Sequence, residues 1–149
     1  QQVRGMETFA ATGCTSCHSG AAFNGPKMPF GQGFYAKFPT FADNEYNKKY
    51  DLSADRGRME ATGKAADANM FRVATLRNIT DTAPYFHNGS VNDLSEAVAL
   101  MAKTQLNKDL SDDEVKDIVA FLAALTGEYP EITMPRLPAT SGFSLVADK

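Results

Sequence analysis

The feature that most constrains this chain is the run "GCTSCHSG", residues 13–20, with two cysteines three positions apart and a histidine directly after the second. The chain holds 2 cysteines and 2 histidines in all, so the motif takes every thiol it has and leaves only His87 elsewhere. A disulfide framework is a weak reading, because a single pair cannot staple a chain of 149 residues. A zinc site needs four ligands, and His18 follows Cys17 too closely for easy tetrahedral geometry. A thioredoxin-like redox pair expects a βαβ setting, and no such alternation is present. The favoured reading is covalent haem attachment, for which C-x-x-C-H is the sequence mark. Thiols at Cys14 and Cys17 add to the two vinyl groups, and the next residue falls beneath the iron, where the His18 imidazole becomes the proximal ligand.

Composition limits the setting. At 16.1 kDa, with 43% apolar and 22% charged residues, the chain matches one globular domain with a core of its own. A net charge of -3 and a pI near 5.3, without a basic stripe or tail, argue against nucleic acid or an anionic membrane as partner. The longest apolar run, Ile118 to Leu125, is too short to cross a bilayer. The chain begins at Gln1 with no charged-then-apolar leader, as expected of a processed export product or an excised piece.

Periodicity predicts an all-α domain with long loops. Val3, Met6, Phe9 and Ala10 recur at helical spacing, so a short amphipathic helix should end near Gly13. Residues 19–51 carry many Gly, Pro, Asn and aromatic residues without sustained periodicity, and a connection of that length is expected to wrap something. Lys48-Lys49, the only adjacent basic pair, reads as a solvated loop. A short helix is expected within "SADRGRMEATG", and "MFRVATLRNI" reads as extended. Asp93 and Glu96 resemble a capping box before a helix whose face is Leu94, Ala97, Val98 and Met101. Ser111 and Glu114 make a second box before a helix presenting Val115, Ile118, Val119, Leu122 and Leu125, with Gly127 as its stop. Residues 1–127 are expected to form the haem domain, and 128–149 a proline-containing tail. Gly5, Phe9 and Gly13 are spaced as in small c-type cytochromes, whose first helix crosses the last closely at a small residue, and this resemblance implies Phe121 as the partner, although two core helices that merely touch would pack alike.

Spacing leaves the sixth iron ligand open between His87 and the 6 methionines. A second histidine would give a low-potential centre, a methionine a higher one, and an open position would admit peroxide. Met101 sits on an apolar helix face, where packing alone would also account for it.

The segment "FRVATLRNITDTAPYFHNGSVNDLSEAVALM", Phe71 to Met101, resembles the C-terminal domain of bacterial dihaem cytochrome c peroxidases. The likeness extends through "GCTSCHSG", Pro29 to Gly31, "LSDDEVKDIVAFLAALTG" and Leu137-Pro138, nearly the whole chain. It implies a cytochrome c fold with long haem-wrapping loops and one covalent haem c of high potential. It also implies His18 and Met101 as the axial ligands of the iron, with His87 a neighbouring or domain-contact residue, or else a hydrogen-bonded loop histidine. It places a calcium ion between two domains, with Thr82 and Pro84 supplying part of its oxygens. A hard cation needs six or more oxygens, so this half alone should hold it weakly.

The family's peroxide-reducing haem is carried by an N-terminal domain with its own C-x-x-C-H, which has no counterpart in these residues. The chain has no Trp, and Asn92 stands where related sequences often carry one. The expectation is a monohaem electron-transfer protein or domain, resembling the half through which electrons enter, outside the cytoplasm in the periplasm. Its partners would be small redox proteins of cytochrome or cupredoxin type, docking briefly, and a second haem domain is a further one. The alternative is an enzyme: peroxide reduction within a larger dihaem protein or at an opened sixth position. Arg72 and Arg77 are candidates to pair with haem propionates, against a competing reading as surface ion pairs. Lys64 and the two glycosylation-like triplets at Asn78 and Asn88 are read as without function.

Overall fold

The computed structural model describes residues 1–135. Five helices carry the architecture: α1 (Gln2–Thr12), α2 (Glu45–Tyr50), α3 (Arg58–Thr62), α4 (Leu94–Leu106) and α5 (Asp112–Ala123). The expected helical class holds, with one addition. Strands β1 (Tyr35–Lys37) and β2 (Met70–Arg72) form an antiparallel ribbon, pairing Tyr35 with Arg72, Ala36 with Phe71 and Lys37 with Met70. Three residues per strand are too few for alternation to be visible in the sequence. The long connection after the motif is thus partly ordered by β1 and α2.

The first helix ends as predicted at Gly13, whose φ of 106° lies in the left-handed region that residues with a Cβ disfavour. Its buried face is the Gly5, Phe9 row expected to meet Phe121, and not the Val3, Met6 part of the apolar pattern. Gly5, Phe9 and Thr12 are buried, while Val3 and Met6 are 65% and 50% exposed and Ala10 is exposed. The cause is α5, which crosses α1 at Gly5, so the row without a bulky side chain takes the contact and the larger apolar residues fall to the flanks. Phe121 fills the expected place: its ring lies 5.4 Å from that of Phe9.

Both predicted caps start helices, but by different means. At α5 the Ser111 hydroxyl accepts from the Glu114 N–H, and the Glu114 carboxylate accepts from the Ser111 N–H at 2.8 Å, a complete box. At α4 the Asp93 carboxylate accepts from the Glu96 N–H at 2.8 Å, but the return bond is replaced. Glu96 instead accepts from Lys49 at 2.7 Å and from the Tyr50 hydroxyl, which ties α2 to α4. The basic pair read as a loop therefore lies in α2, with Lys48 beside Asp43 at 3.3 Å. Helix α5 stops at Ala123 rather than at Gly127, whose N–H donates to the Asn78 side-chain oxygen at 2.9 Å. Residues 128–135 are exposed and outside any helix; the rest of the tail, with Leu137-Pro138, lies outside the described residues.

The interior divides in two, where a domain of this size usually has one contiguous core. Phe9, Ile118, Phe121, Leu122 and Leu125 form one cluster between α1 and α5. Phe38, Leu52, Tyr85, Val91, Ala97 and Leu100 form the other. Helix α4 serves both, which explains why its single predicted face omitted Leu100: Leu94 and Val98 pack on the first cluster, Leu94, Ala97, Leu100 and Met101 on the second. Ile79 and Leu94 touch both clusters.

Candidate functional site

The motif is set by the end of α1. After Gly13 turns the chain, Cys14–Ser16 make one 3₁₀ turn, and the His18 N–H donates to the Cys14 carbonyl at 2.9 Å. This folds His18 back toward the first core, where its ring stands 6.4 Å from that of Phe9. The His18 Nδ1 is 3.0 Å from the carbonyl oxygen of Phe23. As the donor in that bond, Nδ1 carries the proton and Nε2 keeps its lone pair, the state a metal-ligating imidazole requires. Burial lowers the His18 pKa, which favours the same neutral ring.

The two thiols are unbonded and half-buried. Burial pushes the Cys14 thiol up to about 11, against the smaller opposing pulls of a hydrogen bond with its own backbone and of Lys108. A thiol so placed is not the low-pKa nucleophile of a dithiol redox centre. Among the described residues no three His, Cys, Asp or Glu side chains gather where they could hold a metal ion.

Cys14 packs against the first core, beside which His18 stands, and Met101 packs against the second. Cys14 and the neutral His18 imidazole therefore stand at one core and the polarisable Met101 thioether at the other, with apolar Ile79 and Leu94 common to both. This suits a flat, largely apolar macrocycle held by covalent thioethers and axial N and S ligands. The shallow clefts beside α1, one lined by Glu7, Thr8, Lys108 and Glu114 and one by Gln1, Val3 and Ala123, contain neither His18 nor Met101.

Among the described residues His87 makes no hydrogen bond, unlike the hydrogen-bonded loop histidine that was one expectation. Its ring stacks on Phe71 at 4.2 Å and meets Phe38 edge-on at 5.8 Å, and its buried Nε2 has no partner among the described residues. Nor do Arg72 and Arg77 form ion pairs among the described residues. Arg72 lies against Gly33, and Arg77 donates from Nε to the Ala21 carbonyl at 2.9 Å. Thr82 and Pro84 are exposed, and the Thr82 hydroxyl donates to the Ile79 carbonyl at 3.1 Å. The Phe23 carbonyl was missed in the sequence because a backbone acceptor has no residue-type signal. The turn that aims it rests on Phe23 at φ 52°, which its side chain gives no reason to expect.

Fold and motif together define a cytochrome c fold. No protein-family model matches the chain. It is 40% identical over 141 residues to the cytochrome c551 peroxidase of Pseudomonas aeruginosa, and 41% identical over 140 residues to that of Nitrosomonas europaea. These alignments cover 95% and 94% of the chain and 38% of each relative. The cytochrome c peroxidase Ccp of Escherichia coli is 37% identical over 87% of the chain and 26% of its own length. A solved MauG-like protein associated with microbial copper homeostasis shares the fold with a TM-score of 0.63 at 24% identity, over 85% of this chain and 47% of that one. Over nearly its whole length the chain is similar to bacterial cytochrome c peroxidases, and it spans less than two-fifths of the length of these relatives.

Proposed function

We propose that residues 1–127 carry one haem c, joined to Cys14 and Cys17 and ligated by His18 and Met101, and that the chain transfers single electrons. In this reading it corresponds to the C-terminal, high-potential half of a dihaem peroxidase, and 128–149 is an appended tail. The observation that carries it is the division of the donor set between two cores, with Cys14 and His18 on one side and Met101 on the other. When bound, the haem supplies the one-electron couple. The protein's part is to fix the ligands, exclude water and leave an edge for brief docking of a small cytochrome or cupredoxin. His18 is held neutral with its Nδ1 proton on the Phe23 carbonyl; Met101 brings a soft ligand that raises the potential. The setting is the periplasm, since c-type haem is attached outside the cytoplasm in bacteria. Among the described residues no helix is long and apolar enough to cross a membrane. Thr82 and Pro84 would contribute to a calcium site only alongside oxygens from elsewhere.

A second reading, peroxide reduction, is favoured by the names of the relatives and by the chain matching only 38% of them. In that case the chain is one part of an enzyme whose peroxide-reducing centre lies in another. Protein made in a host that matures c-type cytochromes tests both. A mass increase of one haem, a reduced low-spin spectrum, a ferric thioether-to-iron band in the red and no turnover with peroxide support electron transfer. Turnover by the isolated chain would support catalysis, and colourless protein with the bare mass would remove both.

A further inference from the structure

Three successive backbone carbonyls follow the motif, and each accepts a hydrogen bond from a different side chain. The Ala21 oxygen takes the Nε–H of Arg77 at 2.9 Å, the Ala22 oxygen takes the Thr75 hydroxyl at 2.6 Å, and the Phe23 oxygen lies 3.0 Å from His18 Nδ1. Thr75 and Arg77 stand more than fifty positions later, in the loop that follows β2. They are also joined to each other, since the Thr75 hydroxyl accepts from the Arg77 N–H at 3.1 Å. The Arg77 guanidinium further lies 5.7 Å from the centre of the Phe23 ring. The turn they hold is an unfavourable one for its sequence: Phe23 is a bulky residue at φ 52°, in the left-handed region. Left to itself it would relax and carry its carbonyl away from His18.

We propose that Thr75 and Arg77 are positioning residues for the proximal histidine, clamping the 21–23 turn so that the Phe23 carbonyl holds the Nδ1 proton of His18. The inference rests on His18 being the iron ligand. A firm Nδ1–H···O bond makes the imidazole more basic toward the metal, which favours Fe(III) and lowers the reduction potential. Loosening the turn should therefore raise the potential. The sign separates this role from simple electrostatics, because removing a cation near the haem would stabilise Fe(III) and lower it. The same geometry gives the Nε of Arg77 a partner other than a propionate.

The test uses the haem-loaded full chain with Thr75→Val and Arg77→Lys, neither of which changes the net charge, and with Thr75→Ser as the conservative control. Reduction potential and solvent exchange of the His18 Nδ1 proton by NMR are the readouts. Each of the first two variants should shift the Fe(II):Fe(III) ratio at a fixed poise toward Fe(II) by roughly tenfold, about 60 mV, with faster Nδ1–H exchange. Thr75→Ser should keep the parent values. If Thr75→Val melts earlier with potential and exchange unchanged, the clamp is merely structural and the inference is overturned; a fall in potential in both variants overturns it too. Failure of the underlying ligand reading would show earlier and differently, as a parent protein without histidine-ligated low-spin haem.

Discussion

Gly5 and Asp117 meet backbone to backbone, so closely that a Cβ on Gly5 would overlap the Asp117 carbonyl oxygen and stand 2.9 Å from the Cβ of Phe121. Gly5→Ala should therefore destabilise the protein although alanine is the better helix former. The propensity gain is about 1 kcal/mol at most, whereas overpacking against backbone that cannot rotate away costs about 1–3 kcal/mol and here falls at the upper end. A net loss of roughly 2 kcal/mol is expected, read as a lower urea midpoint with an unchanged slope. A variant as stable as the parent would mean that the helices do not cross at this distance. Because Phe9 and Phe121 share this contact, the Cys14–His18 turn after α1 should loosen as well.

Met101→Ala should open the sixth position without unfolding the chain, because Met101 packs only partly against its cluster while Leu100 beside it is fully buried. The ferric thioether-to-iron band should vanish, exogenous ligands should bind, and the reduction potential should drop by on the order of 0.1 V, given that axial ligands tune haem over about 0.8 V. An unchanged low-spin spectrum would take Met101 out of the site.

Helices with caps and long apolar rows were legible: α1, α4 and α5 lie within a few residues of where the periodicity and the Ser111–Glu114 box place them. The departures in the buried faces of α1 and α4 have one cause. Periodicity counts apolar residues but does not see which face a neighbour can approach, so Val3 and Met6 were assigned inward where Gly5 is the contact. The short ribbon and α2 were hidden because they are stabilised by distant partners, Arg72 across from Tyr35 and Glu96 across from Lys49. At the site, side chains could be named from spacing and family likeness. The carbonyls that position them could not, since Ala21, Ala22 and Phe23 act through backbone oxygens.

His87 should make the protein less stable in mild acid. Burial lowers its pKa in the fold, against a smaller opposing pull from Asp55. The folded value therefore lies below the ordinary value of about 6.5. With the neutral form favoured by folding, its contribution is intact above about pH 6.5 and is lost as pH falls through the lower folded value. His87→Phe keeps the ring against Phe71 and removes both the titration and the unpartnered Nε2. At pH 7 it should be within about 1 kcal/mol of the parent or above it. Melting temperatures from pH 7 to pH 5 should fall more steeply in the parent than in the variant. Parallel curves would show that His87 is not the group that titrates.

Asn78 fastens the segment that precedes Ile79 to the end of α5, and its side chain can be separated from its backbone by two substitutions. The Asn78 N–H donates to the Leu125 carbonyl at 3.3 Å, its Oδ1 accepts from the Gly127 N–H at 2.9 Å, and Thr80 and Thr126 hydroxyls meet 2.7 Å apart beside it. The residue sits at φ 60°, which asparagine tolerates and alanine does not. Asn78→Gly removes only the side-chain acceptor and should lose about 1 kcal/mol. Asn78→Ala loses the same bond and adds about 1 kcal/mol or more for the left-handed backbone. The order glycine above alanine, measured by urea midpoint, is the reverse of helix propensity and follows only from this geometry. Because Ile79 touches both cores, each variant should also broaden the haem spectrum in proportion to its loss, and an alanine variant as stable as the glycine one would undo the assignment.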